Sequence, residues 1–80
     1  MAGKKSVVKQ EYTVSKEVKK AVLEGLIKQM IDAIYTTTIQ HKVLKSVGDE
    51  KGMLQTETAL VTQEKMKLGY EKELMAVERE

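Results

Sequence analysis

From Lys16 to Val47 the apolar positions recur by threes and fours. Leu23, Leu26, Met30, Ala33, Thr37, His41 and Leu44 fall on one stripe, and Val22, Ile27 and Ile34 widen it. That is the period of an α-helix that buries one face. Ser15 stands where an N-cap is needed, because its hydroxyl can accept from a free amide of the first turn. Glu17 follows where the helix dipole favours a negative charge. The opposite face carries Glu24, Lys28, Asp32, Lys42 and Ser46, as solvent requires, but Tyr35, Ile39 and Val43 also fall outside the stripe and point to a second contact.

The run Ile34 to Ile39 (IYTTTI) favours strand by propensity alone. The helical period continues on both sides of it, so one helix over about 16–47 is expected, with Thr36 to Thr38 the place where it would kink or break. Gly48 can take the left-handed conformation that closes a helix. Asp49 can cap the next one, with Glu50 in its first turn. The chain has no proline to interrupt either helix. The pattern therefore predicts an all-α antiparallel hairpin over residues 16–80, with a turn at 48–50 and a second helix over about 51–78.

From Glu50 onward the sequence can be written as heptads: EKGMLQT, ETALVTQ, EKMKLGY, EKELMAV, ERE. Glu50, Glu57, Glu64, Glu71 and Glu78 begin them and form one row, which drifts by only about 20° per repeat on a straight helix. The fourth place holds Met53, Leu60, Lys67 and Leu74, and the seventh holds Thr56, Gln63, Tyr70 and Val77. If these two places make the core seam, Leu54, Val61, Leu68 and Met75 at the fifth place form an additional apolar row, and one partner helix cannot cover both. A bundle of three or more helices would bury it, so the hairpin is expected to assemble into a helical bundle or coiled-coil oligomer. Leu54, Val61, Leu68 and Met75, with Glu57, Glu64 and Glu71, are the expected interaction residues. The Glu row is either a solvated flank or an edge that selects register by pairing with Lys16, Lys20, Lys28 or Lys45 of another helix. As a metal site it is unsuited, since successive carboxylates stand about 10.5 Å apart along the axis.

Ahead of the hairpin, residues 1–15 read as a basic arm. Val7 to Ser15 has strand character, with Val8, Tyr12 and Val14 sharing one face at period two. Residues 1–20 hold six lysines against Glu11 and Glu17, so the net charge of +2 is concentrated at the front. An anionic partner such as nucleic acid is one reading of that end, and a solvated flank is the other.

Composition adds the limits. A lone chain of 80 residues is one domain at most, and it buries only about 60% of the surface its unfolded form exposes. With no cysteine there is no disulfide, thiolate metal site or Cys nucleophile. Helix packing or self-association must supply the stability. No apolar stretch approaches a membrane span, and the start Met-Ala-Gly-Lys-Lys has no apolar run behind it. A cytoplasmic protein is the expectation.

Catalytic chemistry finds little footing. His41 is the one histidine, and on the apolar stripe it reads as a hydrogen-bonded core residue before it reads as a pH-sensitive contact or a metal ligand across an oligomer axis. Ser46 and Asp49 are near it in sequence, but a hairpin this small has little room for a cleft. Gly3, Gly25, Gly48, Gly52 and Gly69 match no phosphate loop. Gly25 and Gly69 fall inside predicted helices, where close helix approach would explain them. Met30, Met53, Met66 and Met75 line helical faces as core filling or as an adaptable surface.

The expected function is therefore non-catalytic, with no cofactor and no metal. The leading expectation is a self-associating hairpin that docks a protein partner as scaffold, adaptor or inhibitor, a composition shared with many small phage and bacterial accessory proteins. A basic arm, a short strand and two helices also resemble the ribbon-helix-helix repressors. That resemblance, over residues 4 to about 35, implies a DNA-binding dimer in which Lys9, Glu11 and Thr13 face the major groove and Lys4 and Lys5 sit on phosphates. The first helix is longer than the family's pattern, Glu11 falls in the middle of the reading strand, and arginine occurs only as Arg79. Membrane attachment ranks last, because Glu24 and Asp32 interrupt the first helix and there is no tryptophan or phenylalanine to anchor it.

Overall fold

The computed structural model describes residues 13–80. Two helices follow in order, α1 (Lys16–Val47) and α2 (Glu50–Glu78), packed against each other as an antiparallel hairpin. The expected strand over Val7 to Ser15 falls mostly outside the described residues, as do Lys4, Lys5, Lys9 and Glu11. Thr13 to Ser15 are neither helix nor strand.

Local chemistry sets both ends of α1 and the start of α2. The Ser15 hydroxyl accepts from the Val18 amide at 3.3 Å and starts α1. At its other end Gly48 adopts φ 77°, ψ 25°. Its amide donates to the Lys45 carbonyl at 3.2 Å, and the Asp49 amide donates to the Leu44 carbonyl at 3.0 Å, which closes the helix through a left-handed residue. Asp49 then caps α2 by accepting from the Gly52 amide at 2.9 Å. The chain thus reverses within two residues.

α1 runs unbroken through the three threonines. Thr36 and Thr38 donate to the carbonyls of Asp32 and Ile34 at 3.0 and 2.7 Å. These bonds satisfy both hydroxyls inside the helix, and the packing of α1 along α2 overrides the strand propensity of the β-branched run. Thr37 lies between them on the packed face and is 6% exposed.

The two helices meet along the expected stripe. Leu23, Leu26, Ile27, Met30, Ala33, Ile34, His41 and Leu44 are half-buried, as are the fourth- and seventh-place residues of α2, with Val77 deeper at 8% exposure. Val22, expected to widen the stripe, is exposed instead. It sits at the rim of a shallow cleft at the open end of the hairpin, with Val14, Leu23, Ala76 and Val77. One neighbouring helix shields only one side of a cylinder, and Val22 lies past that side.

The glycines also require a correction. Side chains added at Gly25 and Gly69 would meet open space, so close helix approach is not their reason. The crowded glycine is Gly52, where a Cβ would lie 2.8 Å from Asp49 Oδ2 and 2.9 Å from Leu44 Cδ2. Among the methionines, Met30 and Met53 are half-buried while Met66 and Met75 are exposed.

Candidate interaction surface

No large side chain among the described residues is fully buried, and Val77 alone of the hydrophobic ones is buried. The hairpin therefore carries its apolar residues mostly on its outside. Two rows account for much of that surface.

The first is the fifth-place row of α2. Leu54, Val61, Leu68 and Met75 are 64%, 54%, 51% and 52% exposed. The fourth and seventh places face α1, so the fifth lies about 130° around the helix from the seam, given about 100° per residue. It cannot reach the one neighbouring helix. Packing and heptad phase thus agree on which apolar residues are spare.

The second lies on α1. Ile31, Tyr35, Ile39, Val43 and Val47 follow one another at intervals of four and are all exposed. Such a series forms a ridge that winds around the helix rather than a straight stripe. Tyr35, Ile39 and Val43 are the residues whose phase left them outside the stripe, and the ridge extends them by Ile31 and Val47. Ile39 and Val43 border a shallow apolar pocket with Gln40, Leu44 and Thr56.

Charged rows border the first of these surfaces. Glu57, Glu64 and Glu78 are exposed, and Glu71 is half-buried. Glu71 accepts from Lys67 at 2.9 Å within its own helix. Glu57 approaches His41 Nε2 at 3.9 Å. Among the described residues, no carboxylate of the row reaches Lys16, Lys20, Lys28 or Lys45. Lys16 donates to the Glu78 backbone carbonyl at 3.3 Å, and the helix ends are joined by Lys19 and Glu80 at 3.3 Å. On the far side of the apolar row stand Lys51, Thr58, Lys65, Lys72 and Arg79, all exposed. They occupy the second place of each heptad, so the same grid that displays the glutamates also displays them. The fifth-place row is thus flanked by acid on one side and base on the other, each about 50° around the helix.

The seam itself is mixed in polarity. His41 Nδ1 and Thr56 Oγ1 are 2.8 Å apart across the two helices. Thr56 has one proton and two backbone carbonyls in reach, those of Gly52 and Met53 at 3.1 and 2.9 Å. Giving its proton to a carbonyl leaves its lone pairs to accept from His41 Nδ1–H. His41 is therefore a hydrogen-bonded residue of the helix interface. Gln63 is less well served, since its Oε1 is buried without a hydrogen-bond partner among the described residues. Among the described residues, no three of His, Asp and Glu converge as metal ligands. Neither described helix is long and apolar enough to cross a membrane.

No family model, curated protein or solved structure matches this chain.

Proposed function

We propose that the chain is a non-catalytic interaction module, a hairpin that associates with copies of itself and acts as scaffold, adaptor or inhibitor of a protein partner. The observation that carries this reading is the exposure of Leu54, Val61, Leu68 and Met75 in one unbroken row. Isolated exposed apolar residues are normal on any protein, but a contiguous row is what an interface presents. Within a single hairpin these side chains stay in water, while a second helix laid on the row would remove them. Burying apolar surface contributes roughly 25 cal/mol per Å², which a chain with so slight a core has reason to recover.

The α1 ridge is a separate surface on the same molecule. In this reading the α2 row holds the assembly together, and the ridge from Ile31 to Val47 remains available to a different protein. The test is the double change Val61→Glu with Leu68→Glu, followed by mass measurement and circular dichroism. The expected result is loss of association with the helical signal retained. An unchanged assembly mass would contradict the reading.

A further inference from the structure

We infer that the occupant of the α2 row is the α2 helix of a second copy, aligned parallel and in register with the first. This rests on the self-association proposed above and specifies its geometry. Charge complementarity selects this alignment. Seen from the partner, each α2 presents an apolar spine of Leu54, Val61, Leu68 and Met75. On one side runs the acidic row of Glu50, Glu57, Glu64, Glu71 and Glu78, and on the other the row of Lys51, Thr58, Lys65, Lys72 and Arg79.

Two helices that share a spine can run parallel or antiparallel, and the choice decides which flanks meet. In a parallel pair the left flank of one helix meets the right flank of the other, while in an antiparallel pair like flanks meet. Antiparallel packing would set glutamates against glutamates along one edge and lysines against lysines along the other. Parallel packing sets each acidic row against the partner's basic row, on both edges at once. In register, Glu64 stands beside Lys65 of the other copy, Glu71 beside Lys72, Glu78 beside Arg79 and Glu50 beside Lys51. A two-fold axis along the helices generates this arrangement and repeats every pair. Exposed ion pairs contribute little singly, but their sign differs between the two alignments at every heptad except the one holding Thr58. The long lysine and glutamate stems would also cover the margins of a spine only one residue wide.

The chain has no cysteine, so single-cysteine variants report on one position only. Leu54→Cys and Met75→Cys are each treated with a short bis-maleimide, alone and as an equal mixture, and the mass of each variant is measured by sedimentation. Positions 54 and 75 are about 32 Å apart along a helix. A parallel, in-register pair cross-links each variant to itself, and that result is expected. An antiparallel pair cross-links only in the mixture, and that result would overturn the inference. Dimeric mass with no cross-link in any sample would also overturn it, while leaving self-association through another surface intact. A monomeric mass for every variant and for the unaltered chain would remove the underlying reading as well. As a second check, Lys65→Glu with Lys72→Glu should weaken association at least about tenfold, and adding Glu64→Lys and Glu71→Lys should restore it.

Discussion

A side chain added at Gly52 would bring its Cβ within 2.9 Å of Leu44 Cδ2, so a methyl group where α2 begins requires the ends of the Leu44 and Asp49 side chains to shift. The same Cβ would press on Asp49, whose carboxylate accepts from the Gly52 amide and caps the helix. Gly52→Ala is therefore expected to destabilise the hairpin by about 1 kcal/mol despite the better helix propensity of alanine. Urea unfolding followed by circular dichroism measures it.

Gly69 and Gly25 lie in the same helices under the opposite condition, with open space around each. Gly69→Ala and Gly25→Ala should each stabilise by about 0.5–1 kcal/mol, because only the backbone term remains. The contrast in sign with Gly52→Ala is the prediction, and the same unfolding curves read it.

Gly48 closes α1 at a φ of 77°. Gly48→Ala should cost about 1–2 kcal/mol, since a left-handed conformation crowds any Cβ. Because a Cβ there would meet no neighbouring atom, the loss should appear as lower stability with the helical content of the folded protein unchanged.

Much of this was legible in local sequence. Ser15, Gly48 and Asp49 act through atoms a few residues away, so residue type and order were enough to place the helix ends. The heptads offered the fourth and seventh positions of α2 as one possible seam, and the burial of those positions against α1 is what leaves Leu54, Val61, Leu68 and Met75 outside it. What depended on the second helix was harder to read. Gly52 looked like one scattered glycine, because its constraint comes partly from Leu44, and Gly25 and Gly69 looked like contact points because helix interiors rarely hold glycine without a reason. Val22 has the right phase at its edge, but only the packed hairpin shows how narrow the covered strip is. The basic row from Lys51 to Arg79 was readable in the heptads, and it gains meaning once the fifth-place row between it and the glutamates is known to be exposed.

Gln63 places a buried carbonyl oxygen in the seam without a partner among the described residues. Leaving such a group unmet costs roughly 1–3 kcal/mol. Gln63→Leu should therefore raise stability by about 1 kcal/mol or more at fixed protein concentration, read as a higher urea midpoint with an unchanged slope. A lower midpoint would mean that the amide is satisfied in the assembled protein.

Sedimentation equilibrium of the unaltered chain over a wide concentration range tests self-association itself. The exposed spine of α2 predicts a mass that rises above 9.0 kDa toward twice that value as concentration increases. A mass that stays at 9.0 kDa throughout would contradict self-association.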